Sequence, residues 1–282
     1  MEQEGGMEGV AALHYRVTGE ADAPPWVFLH GLMGAGQNWR RIVRGMQQGR
    51  QILTYDQRGH GRSAKPAQGY ALEDYANDLL MLVDALGWSR FVLVGHSLGG
   101  RVALCFAHAY PQRLRGLVIV DIGPGGQNQI ADRSAKLLEM IPTPFADKAA
   151  AKHYFAHTFA QQAHAAGWGA VARLGAFLYS NLHVSEQGQV DWRFYKPGML
   201  ASVAAPAQQP RWDQLHGLSM PTLLMRGEHS DYLSPETFRQ MVACNAHIQG
   251  VQIPQAGHWV HADQPEAFMA QLHHFEQRLS GG

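Results

Sequence analysis

The apolar run Phe91-Val-Leu-Val94 leads directly into Gly95-His-Ser-Leu-Gly99, and a helical pattern starts at once behind it. No other stretch restricts the possible folds of this chain as strongly. An apolar run closed by glycine predicts a strand. Strand, Gly-x-Ser-x-Gly and helix in immediate succession predict a turn sharp enough to strain the serine backbone, with Gly95 and Gly99 letting strand and helix approach closely. Such strain costs about 1–3 kcal/mol and persists where it serves a function. Here it would lift the Ser97 hydroxyl to the end of the sheet. It would also aim the N–H groups of the next helix at whatever that hydroxyl attacks. Ser97 is therefore the candidate nucleophile.

The rest of the chain supplies a sheet around that strand. Leu13–Val17 is the first candidate strand, expected at an edge, followed by Trp26–Leu29, Gln51–Tyr55, Phe91–Val94, Leu117–Val120, Thr222–Met225 and Val251–Ile253. Helical patterns fall between and after them at Asn38–Met46, Tyr70–Leu86, Leu98–Ala109, Pro235–Ala243 and Pro265–Leu279. In the second of these, Tyr75, Leu79, Leu82, Val83 and Leu86 recur at helical spacing and Gly87 closes the helix. This alternation predicts an α/β fold, a mostly parallel twisted sheet with helices on both faces. The alternation lapses over residues 123–218, a stretch rich in Ala, His and aromatics and too long for a loop. It reads as a helical cap inserted over the carboxyl edge of the sheet, dividing the core into residues 1–122 and 219–282; the competing reading is a separate helical domain. The acidic, glycine-rich start, MEQEGGMEGV, reads as a frayed end.

A serine hydroxyl needs a base to attack at neutral pH, and the oxyanion it creates needs donors. For the donors, the strand before His30-Gly31 opens into a glycine-bearing loop, so the Leu32 N–H would pair with the Leu98 N–H; Met33 beside it is a candidate substrate contact, and His30 would hold the loop. For the base, "IPQAGHW" places His258 in the loop after the last strand, with His261 as rival. For the acid that orients the base, Asp231 in "RGEHSDYLS" is preferred, Asp121 at the end of "LVIVD" remains open, and Glu228 is a third choice. Either aspartate leaves the chain order Ser…Asp…His.

Composition narrows the partners. Lys+Arg and Asp+Glu are 23 each, so formal charge is zero and nothing points to nucleic acid. No apolar stretch is long enough to span a bilayer and the start lacks a signal-peptide pattern. The two cysteines, Cys105 and Cys244, form no CxxC or disulfide pattern, which fits a reducing cytoplasm. The sixteen histidines include no HExxH or Cys/His cluster at metal-ligand spacing, so no metal and no cofactor is expected. Oligomeric state is not legible.

Taken together, "HGLMGAGQNW", "YDQRGHGRS", "GHSLGG", "DIGP", "RGEHSDYLS" and "AGHW" resemble the α/β-hydrolase superfamily across nearly the whole chain. The resemblance implies that Asp56, Arg58, Gly59 and Gly61 set a turn beside the site, with His60 architectural. It is nearest to serine-dependent short-acyl esterases and thioesterases, which implies hydrolysis of small or medium carboxylic esters through an acyl-enzyme. Some of these members draw their acid from the "DI-x-P" strand, which is Asp121 here. Ser97 departs from the aspartate nucleophile of haloalkane dehalogenases and many epoxide hydrolases. A menaquinone-pathway lyase shares related motifs and grips carboxylates with arginines; Arg101 and Arg133 are present here, but the cap holds no adjacent arginine pair and arginines read as sparse near the site. C–C bond hydrolases share the fold too, as do ligand-binding receptors that keep the same three residues.

Overall fold

Phe91 and Leu93 pack into one apolar cluster while Val92 and Val94 pack into another, so the strand ahead of Ser97 is buried on both faces. That is why it reads as a continuous apolar run rather than an alternating one. The computed structural model describes residues 2–7, 12–125, 129–169, 171–204 and 209–280. Its strands are β1 (Glu2–Met7), β2 (Leu13–Gly19), β3 (Pro25–Leu29), β4 (Gln51–Tyr55), β5 (Phe91–His96), β6 (Leu114–Val120), β7 (Leu182–Val184), β8 (Val190–Trp192), β9 (Thr222–Gly227) and β10 (Ile248–Ile253). One sheet runs β1-β2-β4-β3-β5-β6-β9-β10, and β7 pairs with β8 in a separate hairpin. Every pairing from β4 to β10 in that sheet is parallel, and β1 and β2 are antiparallel additions.

Parallel neighbours need crossovers, and helices supply them. Leu72–Ala85 and Leu98–Ala109 cover one face, where Leu79, Leu82, Val102 and Phe106 meet Leu93 and Leu117. Arg40–Met46 and Pro265–Ser280 cover the other, where Ile42, Met46, Phe268 and Leu272 meet Val92, Val118 and Met225. The helix expected from Tyr70 starts at Leu72, because the Asp74 carboxylate accepts the Ala71 N–H at 2.9 Å and caps it there.

Two expectations are corrected. Glu2–Met7 is a strand paired with Leu13–Thr18, so β2 is not the sheet edge and this stretch is not frayed. Main-chain pairing needs no apolar pattern, and EQEGGM carries none. Residues 123–218 contain the β7–β8 hairpin as well as helices, among them Gln129–Met140, Lys148–His153, Phe159–Ala165, Val171–Ser180 and Lys196–Ser202. Leu138, Phe159, Leu174 and Leu178 of this segment join the same apolar cluster as Leu93 of the sheet. Among the described residues no helix is long and apolar enough to cross a membrane.

Candidate active site

Ser97 joins β5 to the helix Leu98–Ala109 with φ 55° and ψ −120°, a left-handed backbone that a residue with a β-carbon rarely adopts. The glycines around it are required by contact. A methyl group on Gly95 would collide with the Gly99 carbonyl, and one on Gly99 would stand 2.6 Å from the Leu29 carbonyl oxygen. Gly31 brings the loop after β3 against the turn, since a methyl there would lie 3.1 Å from Ser97 Cβ and 3.0 Å from His96 Nδ1. Ser97 opens onto a cavity of about 360 Å³ whose walls include Leu32, Met33, Leu98 and His258. Leu98 is the first residue of its helix, where backbone N–H groups have no intrahelical acceptor.

The cavity also holds the predicted base, but its partner differs from the preferred one. His258 Nδ1 donates to Asp121 Oδ2 at 2.8 Å. Asp121 directly follows β6, beside the strand that leads to Ser97, and is fully buried at φ 54°. It also accepts the Gly227 N–H at 2.9 Å and the Ser230 hydroxyl. Asp231, the preferred acid, does not meet His258: its carboxylate is half exposed and takes Arg133 Nη2 at 2.9 Å. The reason is the turn after β9. There Ser230 Oγ accepts the N–H groups of Tyr232 and Leu233, and the chain presents the Tyr232 ring, not Asp231, to the imidazole. Glu228 accepts the Gln255 N–H at 2.8 Å. The rival histidine, His261, is buried at the cavity wall, its ring 4.2 Å from that of Trp39 and 4.8 Å from that of His96.

Burial dominates the electrostatics. Desolvation pulls His258 down from its ordinary value to about 3, against the nearby Asp231 charge that works to raise it. Desolvation pushes Asp121 up to about 7, opposed by its bonds from Ser230 and Gly227. The resting imidazole is therefore neutral; Asp121 already accepts from Gly227 and Ser230, and as an acceptor it takes the imidazole proton at Nδ1 and leaves a lone pair on Nε2.

His30 and His60, also near the turn, bond to main-chain groups. His30 Nε2 accepts the Gln57 N–H at 3.0 Å and its Nδ1 donates to the Gly31 carbonyl at 2.8 Å, tying the loop after β3 to the loop after β4. His60 Nδ1 donates to the Arg58 carbonyl at 2.9 Å. Asp56 accepts the Gly36 and Arg62 N–H groups, and Arg58 grips Asp78 with two bonds of 2.6 Å. Among the described residues no group of three or more His, Cys, Asp or Glu side chains is arranged to hold a metal.

Sequence reasoning missed several neighbours. His96 Nε2 donates to the His258 carbonyl at 2.8 Å, and Tyr232 stacks on the His258 ring. Arg101 and Arg173 both line the cavity, so arginines are not sparse there. Arg173 lies on the helix Val171–Ser180 and pairs with Asp263, which accepts the Gly257 N–H at 2.7 Å beside His258. Only the position of His96 within the pentapeptide was a signal; the rest became neighbours through folding.

Comparison with known proteins places this geometry. A family profile described as alpha/beta hydrolase fold matches residues 24–265. The chain is 33% identical to the sn-1-specific diacylglycerol lipase ABHD11 of Mus musculus over 89% of its own length and 80% of that protein's. It is 30% identical to the 2-succinyl-6-hydroxy-2,4-cyclohexadiene-1-carboxylate synthase of Serratia proteamaculans, over 91% of this chain and 94% of that one. Among solved structures, a marine microorganism esterase superposes with a TM-score of 0.78 at 28% identity, covering 93% of this chain and 98% of its own.

Proposed function

The chain belongs to the alpha/beta hydrolase family, and from that premise we propose that it is a serine hydrolase of carboxylic esters working through an acyl-enzyme. The observation that carries the reading is the 2.8 Å bond from His258 Nδ1 to Asp121, on a cavity shared with Ser97 at a strained turn. Ser97 Oγ attacks the ester carbonyl as His258 Nε2 takes its proton. Asp121 holds the tautomer and stabilises the imidazolium. The Leu32 and Leu98 N–H groups receive the oxyanion; one such donor is worth about 3 kcal/mol. His258 then protonates the departing alkoxide, and a water, deprotonated by the same nitrogen, releases the acid.

Residues 123–218 act as the cap on a core of 1–122 and 219–282, with Leu137, Leu174 and Phe177 reaching the wall of the cavity that Met33 also lines. An apolar cavity of about 360 Å³ suits small or medium acyl groups. Cys105 and Cys244 stand as free thiols, which supports a cytoplasmic setting. The test is a chain-length series of p-nitrophenyl esters with wild type and Ser97→Ala. Multiple turnover falling by about six orders of magnitude in the variant supports the reading. A Ser97→Ala variant that keeps most of the activity ends it, and a single stoichiometric burst in wild type points to a binding protein instead.

A second reading has one observation in its favour. Arg101 and Arg173 on the cavity wall could hold substrate carboxylates, and the Serratia synthase resembles this chain over most of its length. Carboxylate-bearing substrates, with C–C cleavage or elimination on the same three residues, are then favoured over neutral esters. Turnover of carboxylate-bearing substrates undiminished by Arg101→Met would disfavour it.

A further inference from the structure

The ring of Tyr232 lies against the imidazole of His258, centroids 3.7 Å apart and planes within 15° of parallel. Two further rings meet that imidazole at wider angles and greater distance: His96 at 4.6 Å and 45°, Trp259 at 5.5 Å and 68°. The stack is tied to the rest of the site. Ser230 Oγ accepts the Tyr232 N–H at 3.1 Å, and the same hydroxyl donates to Asp121. One side chain thus links the carboxylate that holds the imidazole to the ring that covers it. From the inserted segment, Arg133 on the helix Gln129–Met140 reaches the same place. Its guanidinium stands 5.8 Å from the Tyr232 ring centroid, 4.5 Å from that of Trp168, and donates to Asp231 at 2.9 Å.

We propose that Tyr232 is a positioning residue that fixes the plane of the His258 imidazole by stacking, and that Arg133, anchored on Asp231 and Trp168, keeps Tyr232 in that stack. This rests on the reading of His258 as the general base. A hydrogen bond at Nδ1 holds one ring atom but, within its angular tolerance, leaves the ring able to rock about the Cβ–Cγ bond. A parallel ring against its face removes that freedom and sets where Nε2 points. Misplacement by about 1 Å costs on the order of a hundredfold in rate, so the plane matters as much as the bond. A π face also remains favourable when the imidazole becomes cationic during the reaction. Asp231 is thereby an anchor for the inserted segment, and the base senses that segment through one aromatic ring.

The test compares wild type, Tyr232→Phe, Tyr232→Leu and Arg133→Met for kcat and KM on p-nitrophenyl butyrate between about pH 5 and 8, and for the rate of Ser97 labelling by a fluorophosphonate. The groups facing His258 are Asp121, Asp231, Arg133, His96, His261, Trp259 and Tyr232; only the last and Arg133 are altered. Tyr232→Leu lowers kcat about tenfold with KM nearly unchanged. It also brings an acid limb of kcat/KM into this range, where titration of the base leaves wild type flat, because water reaching the imidazole raises its value. Tyr232→Phe, which keeps the ring, rescues both. Arg133→Met, at a half-exposed position, lowers kcat about threefold and leaves folding intact. A Leu variant with wild-type kcat and pH profile overturns the proposal, as does a Phe variant as impaired as the Leu variant. If the Leu variant does not fold, an Arg133→Met enzyme with unchanged kcat, pH profile and labelling rate overturns it alone. A wild-type protein that neither turns over nor labels defeats the hydrolase reading instead, so the two failures are distinct.

Discussion

His96 donates its Nε2 proton to the main-chain carbonyl of His258 at 2.8 Å, so the residue beside Ser97 carries the backbone of His258. The two lie 162 positions apart and both are buried. Burial pulls His96 well below its ordinary value and keeps it neutral. Replacing it with Ala leaves a buried carbonyl unsatisfied, which costs about 1–3 kcal/mol. His96→Ala should lower both the melting temperature and kcat while KM changes little. Unaltered kcat would show that this bond does not set the position of the base.

The two aspartates should separate cleanly. Asp121→Asn removes the acceptor that selects the Nδ1–H tautomer, and kcat should fall by about four orders of magnitude. Asp231→Asn, whose side chain meets Arg133, should cost less than about tenfold. Steady-state kcat of the two variants decides; equal losses would return Asp231 to candidacy.

Acid should inactivate by unfolding rather than by titrating the base. Burial holds His30, His60, His96, His258 and His261 below their ordinary value of 6.5. Below pH 6.5 the unfolded chain therefore binds more protons at these sites, and stability falls as pH drops, by up to about 1.4 kcal/mol per unit for each. Asp121, raised to about 7 by burial, acts in the opposite sense between its ordinary value of 3.8 and 7 and offsets part of this. Activity and far-UV circular dichroism should be lost together, with uptake of more than one proton. A half-loss of kcat/KM near pH 6.5 in a fully folded enzyme would contradict a base whose value is pulled to about 3.

Gly31 tests the donor loop without replacing a reactive group. An added methyl would press on Ser97 Cβ at 3.1 Å and on His96 Nδ1 at 3.0 Å, which the neighbours can absorb only by shifting Leu32 and its N–H. Gly31→Ala should fold, yet lose about a hundredfold in kcat, the magnitude expected when an oxyanion donor is misaligned. Full activity would place the donor elsewhere.

Away from the cavity, Arg58 and Asp78 form a buried two-bond pair. Asp78→Leu leaves an uncompensated buried guanidinium and should destabilise the fold by about 3–5 kcal/mol. Denaturant unfolding measures it; a change under about 1 kcal/mol would mean that water reaches Arg58.

The strand before Ser97, the glycines around it, the helix behind it and the candidate base in its loop were legible in the linear chain. Each is a local matter: an apolar run, a residue type that a tight turn requires, a period of helical spacing. Choosing Asp121 over Asp231 was not local. Both end up in loops at the same end of the sheet, and the choice turns on strand order, which sets β6 beside β5, and on a turn at Ser230 that swings Tyr232 rather than Asp231 onto the ring. Glu2–Met7 escaped notice for a related reason, since its pairing is made by main-chain groups that every sequence possesses. Sequence alone thus determined the parallel strands of the sheet and the helices that cover it, because apolar periodicity and glycine placement are written residue by residue. Tertiary structure decided which carboxylate, ring and arginine gather on His258, because those meetings depend on how separate segments pack and no local pattern encodes them.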